Sequence, residues 1–289
     1  MDIPDHMVHA AILRALEEDI GRGDLTTTAA IPPDIQGQAD IVLREPGVVA
    51  GVPLLPVIFT MVDSRLQVES LITDGTNAPA GAVIARISGP VSGLLTAERV
   101  ALNFVQHLSG IATLTAQYVA VLQGLPTRLL DTRKTTPGLR AFEKYAVRVG
   151  GGTNHRMGLY DAVMLKDNHL ALLATLGMDV AAAVRRTRNA VGPTVRIEVE
   201  VETIADAHLA AQAGADLILL DNMPPPMMRQ IVHELKGDAA PGTLPLLEAS
   251  GGITLETLRA VAETGVDYIS VGVLTHSVRS LDIGMDWHS

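Results

Sequence analysis

The sequence predicts an α/β protein whose second half is built on a parallel sheet. Three observations carry this. From residue 128 onward, short apolar runs alternate with helical segments, as strands covered by helices on both faces do. Six such runs occur: "RLLDTRK", "DAVMLKDNH", "VRIEVEVE", "LILLDN", "LPLLEASGG" and "YISVGV". Each ends in residues able to do chemistry, namely Arg133 and Lys134, Lys166, Glu200, Asp221, Ser250 and Gly272. Functional groups in parallel α/β folds collect at the carboxyl ends of the strands. Six strands leave an eight-stranded barrel two short, so an incomplete barrel is expected.

The first half has another texture. "DHMVHAAILRALEEDIG" spaces its apolar residues for a helix, with Gly21 as its stop. Four β-like runs follow, "ADIVLRE", "VVAGVPL", "LQVESLI" and "AVIARISG", punctuated by Gly and Pro. "TAERVALNFVQHLSGIATLTAQYVAVLQG" reads as two helices hinged at Ser109 and Gly110. In the second half, "PGLRAFEKYAVRVGG", "VAAAVRRTRNAVG", "TIADAHLAAQAGA", "MMRQIVHEL" and "TLETLRAVAETGV" supply the helices between strands. The expected boundaries are a first domain over 1–112, a catalytic domain over 113–275 and a tail over 276–289.

Composition narrows the function. The chain has 289 residues, 47% of them hydrophobic but only 3% aromatic, so its core must be aliphatic. A formal net charge of −10 argues against nucleic acid as a partner. Zero cysteines exclude disulfides, thiolate metal sites and a Cys nucleophile. The start "MDIPDHMVHA" lacks the pattern of a signal peptide, and "LALLATLGMDVAAAV" is interrupted by Gly177 and Asp179 before it reaches spanning length. A soluble cytoplasmic protein is expected, with no membrane partner.

Against this acidic background, residues 128 to 166 hold eight Lys or Arg and three acids. Such a local reversal suits a small, highly anionic ligand; an ordinary solvated basic face is the alternative. Arg133 offers a bidentate fork and Lys134 a compact charge at the first strand end. Pro137 suits the first turn of the following helix, whose free N–H groups favour an anion. On that helix Arg140, Lys144 and Arg148 form a basic stripe, a pattern that usually faces solvent. His155 and Arg156 close a glycine-rich loop, "GGGTNHR". Lys166 leaves a buried strand, where it could bind an anion, form a Schiff base or simply pair with Asp167. Alternation in "EVEVE" sends Glu198, Glu200 and Glu202 to one side, where they need cations or a metal to offset them. Glu200 and Asp221 are candidates for Mg2+, for sugar hydroxyls or for stabilising a cationic transition state. The small residues of "EASGGI" and "SVGVLTHS" expose backbone N–H groups that fit a phosphate.

These stretches resemble the quinolinate phosphoribosyltransferase family. The likeness runs nearly end to end through "EDIGRGDLTT", "LLTAERVALNFVQHLSGIAT", "DTRKTTPGLRAFEKYAVRVGGGTNHRMGLYDAVMLKDNH", "EVEVET", "LILLDNM", "EASGGI" and "YISVGVLTHS". The resemblance implies an N-terminal α/β sandwich domain, an open six-stranded α/β barrel and a tail that returns to the first domain. It implies transfer of a phosphoribosyl group from phosphoribosyl pyrophosphate to quinolinate with decarboxylation. The products would be nicotinate mononucleotide, CO2 and pyrophosphate, on the route to NAD. By the same carry-over, Thr132, Arg133, Lys134, His155, Arg156 and Lys166 surround the quinolinate carboxylates and the pyrophosphate. Lys134, Glu200 and Asp221 are the implied catalytic residues. Glu200 and Asp221 also face the ribose and Mg2+, an ion held mainly by the substrate's pyrophosphate. Ser250, Gly251, Gly252, Gly272, Val273, Leu274 and His276 hold the 5′-phosphate. Arg99 reaches into a partner's site, within a homodimer or a trimer of dimers. Three rivals stand beside this reading: a related pyrophosphorylase-like protein of molybdate transport, a Schiff-base aldolase built on Lys166, and a phosphate-ligand sensor without catalysis.

Overall fold

The computed structural model describes residues 1–237 and 245–288. Leu244, which opens the fifth apolar run, lies outside them. In chain order the elements are α1 (Asp5–Ile20), α2 (Leu25–Ala30), β1 (Gln36–Leu43), β2 (Gly47–Val48), α3 (Leu54–Val62), β3 (Gln67–Ser70), β4 (Asn77–Ala78), β5 (Val83–Pro90) and α4 (Val91–Val121). Next come β6 (Arg128–Leu130), α5 (Arg140–Val149), β7 (Val163–Leu165), α6 (Asp167–Thr175), α7 (Val180–Ala190), β8 (Ile197–Val201) and α8 (Ile204–Gln212). The chain ends with β9 (Leu217–Asp221), α9 (Pro225–Lys236), β10 (Leu246–Ser250), α10 (Leu255–Ala262), β11 (Tyr268–Ser270), α11 (Val273–His276) and β12 (Ile283–Trp287).

Two compact units result. The first combines Met1–Ala116, Thr135–Gly151 and Val273–Ser289; the second combines Gln117–Lys134 and Gly152–Gly272. Residues 135–151 therefore group with the first unit, although they fall inside the span 113–275 read from sequence.

The first unit holds a sheet of order β12-β1-β5-β3, antiparallel throughout. Alternation along β1 and β5 turns Ile41, Leu43, Ala85 and Ile87 into the core, all with no exposed surface. Asp40 and Arg86 are cross-strand partners, and Arg86 Nε donates to Asp40 Oδ1 at 2.8 Å. All three phenylalanines of the chain are buried in this unit, at positions 59, 104 and 142. Phe104 and Phe142 meet with ring centroids 5.7 Å apart, joining α4 to α5.

Four sequence expectations change here. The run "VVAGVPL" is not a full strand, because the chain turns after Val48 and enters α3 behind Pro53. Pro53 cannot donate to a ladder, and Leu54, Leu55, Ile58 and Phe59 then bury a helical face. The hinge at Ser109 and Gly110 does not exist: α4 is one helix of 31 residues. Gly110 is glycine because a Cβ there would collide with the backbone carbonyl of Arg279. Ser109 Oγ accepts from Ala50 N at 3.0 Å, tying the helix to the turn beside it. Finally, Pro137 does not start a helix. It sits in a turn closed by Leu139 N donating to Thr136 O, and α5 begins at Arg140. The basic stripe of α5 is not uniformly solvated either. Lys144 is fully buried, Arg140 half-buried and Arg148 exposed.

The second unit is the expected six-stranded parallel sheet, in the order β6-β11-β10-β9-β8-β7. Its strands are aliphatic and buried on both faces, with Ile197, Val199, Ile218, Leu220, Leu247, Ala249 and Ile269 unexposed. The edges of the sheet are β6 and β7, which matches an open barrel. Helix caps help set strand lengths: Asp179 Oδ1 accepts from Ala182 N at 2.7 Å, and Thr203 Oγ1 from Asp206 N at 3.1 Å.

Candidate active site

The sheet of the second unit ends in a cavity of about 600 Å³. Residues from all six strands or the loops after them line it: Thr132, Arg133 and Lys134 beyond β6, Met164 and Lys166 at β7, Glu200 of β8, Leu219, Asp221 and Asn222 at β9, Glu248, Ser250, Gly251 and Gly252 at β10, and Ser270 of β11. His155 and Arg156 complete the wall. Both edge strands thus contribute to one mouth, which requires the sheet to curl.

Each wall residue is held by a specific contact. Asp131, fully buried at the end of β6, accepts from His155 N at 2.8 Å through Oδ1 and from Asn154 Nδ2 through Oδ2. That carboxylate joins the Arg133 loop to the His155 loop. Lys134 N donates to Thr132 Oγ1 at 3.0 Å, tightening the turn between them. Arg156 reaches from its loop to donate through Nη1 to Ala162 O at 2.8 Å. Burial, and then the nearby charge of Arg133, lower the pKa of its guanidinium from the ordinary arginine value. Two guanidiniums in such a setting favour an anion between them.

Lys166 caps α6, and its Nζ lies 2.8 Å from Glu200 Oε2. Of the alternatives open from sequence, pairing with Asp167 is not the one it takes. An ammonium gripped by a carboxylate is a poor Schiff-base nucleophile, which removes the main support for an aldolase. The three glutamates of "EVEVE" separate by depth. Glu198 is buried beneath the cavity, Glu200 faces it, and Glu202 lies past the end of β8 and is exposed. Lys166 offsets Glu200 as a cation, as the sequence required, while Glu198 faces the Nε2 side of the His155 ring.

Beneath the floor, His155 Nε2 lies 3.0 Å from Glu198 Oε2 and 3.4 Å from Glu248 Oε2. His155 Nδ1 accepts from Arg156 N at 2.7 Å, so the ring's first proton sits on Nε2, between the two carboxylates. Burial opposes a charged ring, while Glu198 and Glu248 together strengthen its hold on protons. Burial, then repulsion by Glu248, push the Glu198 carboxyl up to about 7, with His155 acting against them. Among the described residues these three side chains also place possible metal-ligand atoms within 4.8 Å of one another. The tautomer decides against a metal there, because Nε2 would have to give up its proton while Nδ1 stays occupied.

At the other side of the mouth, Ser250 Oγ and Ser270 Oγ are 3.0 Å apart. Asn222 adopts a positive φ of 50° and donates through Nδ2 to Asp221 Oδ2 at 2.7 Å. Gly251, at φ 98°, passes so close to Asn222 that a Cβ would strike its side-chain oxygen. The glycine thus serves packing between two loops as well as access to backbone.

The structure gathers Thr132, Arg133, Lys134, His155, Arg156, Lys166, Glu200, Asp221, Ser250, Gly251 and Gly252 around one cavity. Gly272, Val273, Leu274 and His276 do not line it. Leu274 is fully buried, and α11 belongs to the first unit. Arg99 is an exposed residue of α4, also in the first unit. Sequence reasoning missed Asp131, Asn154 and Glu248 as parts of the site. The signal available was for Asp131 alone, an acid directly after an apolar strand, where burial demands a partner.

A parallel α/β sheet with cations and carboxylates converging at its carboxyl end defines an enzyme class that takes a small polyanion. Sequence comparison then gives the family. Residues 24–109 match the N-terminal domain of quinolinate phosphoribosyl transferase, and residues 111–286 match its C-terminal domain. The chain belongs to the quinolinate phosphoribosyl transferase family. It is 45% identical to the nicotinate-nucleotide pyrophosphorylase (carboxylating) of Mycobacterium leprae, covering 95% of each chain. It is 41% identical to quinolinate phosphoribosyltransferase (decarboxylating) 1b of Nicotiana tabacum, over 98% of this chain and 83% of that one. The crystal structure of NadC from Streptococcus pyogenes superposes with a TM-score of 0.92 at 40% identity, covering 100% of both chains.

Proposed function

We propose that the protein transfers the phosphoribosyl group of phosphoribosyl pyrophosphate to quinolinate and releases CO2, forming nicotinate mononucleotide and pyrophosphate. The observation that carries this reading is one cavity in which Arg133, Lys134, Arg156 and Lys166 meet Glu200 and Asp221, in a chain of this family. The four cations suit a dianion and a pyrophosphate; the two carboxylates suit the positive charge that develops at the ribose.

In this reading Arg133, Arg156 and Lys134 hold the two adjacent quinolinate carboxylates and orient the pyridine nitrogen toward the anomeric carbon. Glu200 and Asp221 face the sugar. As the bond to pyrophosphate breaks, the positive charge spreads over the ring oxygen and anomeric carbon, and these carboxylates stabilise it. Lys166, already paired with Glu200, holds that carboxylate in place and adds a cation for the departing phosphates. The positive charge of the new pyridinium nitrogen then stabilises the electron pair left on the adjacent ring carbon when its carboxylate departs as CO2, and that pair takes up a proton.

The donor set of Glu200 and Asp221 is all oxygen, which suits Mg2+. Because Lys166 occupies one Glu200 oxygen, the ion fits best as cargo of pyrophosphate, with Asp221 and Glu200 beside it. When bound it would neutralise leaving-group charge. The enzyme acts as a homodimer in this proposal, with Arg99 serving the partner's cavity, and such dimers can assemble further into a hexamer.

The test is direct. With phosphoribosyl pyrophosphate, Mg2+ and quinolinate carrying label in its 2-carboxylate, labelled CO2 and pyrophosphate should appear in equal amounts. Chelation should abolish turnover, and nicotinate should substitute poorly. Equal turnover of nicotinate, or none of quinolinate, would overturn the assignment.

A further inference from the structure

We propose that Glu198 and Glu248 are positioning residues, two buried acids that hold the His155 ring as a post for the Arg156 backbone. The kinetic test rests on the function argued above; the spectroscopic test does not.

Regular sheet pairing stops just before Arg156. Beside β6, Thr153 N donates to Leu129 O at 2.8 Å and Asp131 N to Thr153 O at 3.2 Å, an isolated parallel bridge. Beyond it the main chain is held by side chains. His155 N donates to Asp131 Oδ1 at 2.8 Å, and Arg156 N donates to His155 Nδ1 at 2.7 Å. For Arg156 an imidazole therefore does what a ladder carbonyl does inside a strand. It can do so only while the ring is held and Nδ1 keeps its lone pair.

The ring is held from the middle of the sheet, where β8 and β10 flank β9. Glu198 on β8 and Glu248 on β10 place their Oε2 atoms 3.0 Å and 3.4 Å from His155 Nε2. Alternation along β8 puts Glu198 on the same face as Glu200, one layer below the cavity. Barrel interiors are normally filled by branched aliphatic side chains, so a polar layer here needs a reason. Both acids are buried, and the Glu248 oxygens take no other hydrogen bond among the described residues. An apolar pair of similar volume is often equally good for stability. What an apolar pair cannot do is face the Nε2 proton. The two acids thus fix the tautomer and the ring plane, and the ring fixes the Arg156 amide. The guanidinium, which donates to Ala162 O at 2.8 Å, is then set from both ends of its side chain. Misplacing a group that orients a substrate by about 1 Å can cost roughly a hundredfold in rate.

Nitrogen NMR of the wild-type protein, labelled in its histidine rings, reads the post directly. The His155 signals, assigned by their loss in His155→Gln, should show a proton on Nε2 and none on Nδ1 near neutral pH. A doubly protonated ring, or a proton on Nδ1, would overturn the post. Two double variants then test what it does. Glu198→Leu with Glu248→Leu removes both acceptors, and should raise KM for quinolinate by about tenfold or more while KM for phosphoribosyl pyrophosphate stays within about threefold. Glu198→Gln with Glu248→Gln keeps an oxygen toward Nε2, and should bring KM for quinolinate back by at least about fivefold from the leucine pair. Equal rises in both KM values, or a glutamine pair no better than the leucine pair, would overturn the positioning role. Amide exchange over residues 153–157 should quicken by about tenfold in the leucine pair and stay within about twofold over β9. Equal quickening in both segments marks a loosened sheet and would equally overturn it, as would no change over 153–157. Should the leucine pair fail to fold, Glu248→Leu alone carries the same readouts, and the wild-type spectrum stands without any variant of either acid. Absence of quinolinate turnover in wild type would refute the assigned function, while the nitrogen spectrum and the exchange would still decide the post.

Discussion

Lys134 and Arg156 enter one cavity from different loops, and each brings a charge that the acidic remainder of the protein does not supply. A hydrogen bond to a charged partner is worth about 1.5–3 kcal/mol, so removing either cation should lower kcat/KM by roughly ten- to a hundredfold or more. Lys134→Ala and Arg156→Ala should do so with melting temperatures close to wild type, checked by steady-state kinetics beside thermal denaturation. Wild-type kinetics in either variant would remove that residue from the site. Glu198 makes a different prediction. Its carboxyl is raised in the folded protein toward about 7, from 4.5, so the fold retains a proton that the unfolded chain releases. Stability from this group is present below about pH 4.5 and is lost as the pH rises through about 7. Glu198→Gln cannot ionise. Its melting temperature relative to wild type should therefore climb between about pH 5 and pH 8, and a constant difference across that range would contradict the buried pair. Single residues at strand ends were legible in the sequence because polarity following an apolar run is conspicuous. Glu248 was not, since nothing local distinguishes a buried acid within a strand from one facing solvent.

Strands and helices of the second half were readable because two periods alternate there, and because buried parallel strands are nearly pure aliphatic. The long helix α4 was misread at its centre. Glycine usually weakens a helix by about 1 kcal/mol relative to alanine, so Ser109-Gly110 suggests a hinge when sequence is all one has. The carbonyl of Arg279 supplies the true reason for Gly110. Gly110→Ala should therefore destabilise the protein by about 1–3 kcal/mol, despite the gain in helix propensity, because the obstruction is backbone and cannot rotate away. Calorimetry would measure this as a lower melting temperature; a higher one would restore the hinge. The error at Pro137 has the same origin. Proline suits both a helix start and a turn; here the turn goes with Glu143, six residues beyond Pro137, accepting from the Thr136 amide.

Arg99 belongs to the scale of the assembly. It is exposed on α4, in a unit that does not contain the catalytic cavity. If it serves a partner's cavity, Arg99→Ala and Lys134→Ala should each be nearly inactive alone. Mixed and allowed to exchange subunits, they should form heterodimers in which one site carries both lesions and the other carries neither. Random pairing then restores up to about one quarter of wild-type activity. Verified exchange without rescue would place Arg99 in its own chain's site and refute the shared arrangement.

By itself, the sequence determined the class of fold, the count of parallel strands and the family, because each of these follows from local pattern or from motifs that stay contiguous. It also determined that positive charge gathers in residues 128 to 166. Only the tertiary structure decided which of those charges share a cavity, that Lys166 pairs with Glu200 and not Asp167, and that Lys144 lies buried instead of solvated. The physical reason is distance. A hydrogen bond or an ion pair acts over a few ångströms in space, and the partners that settle a side chain's role here, such as Lys166 with Glu200, stand far apart along the chain.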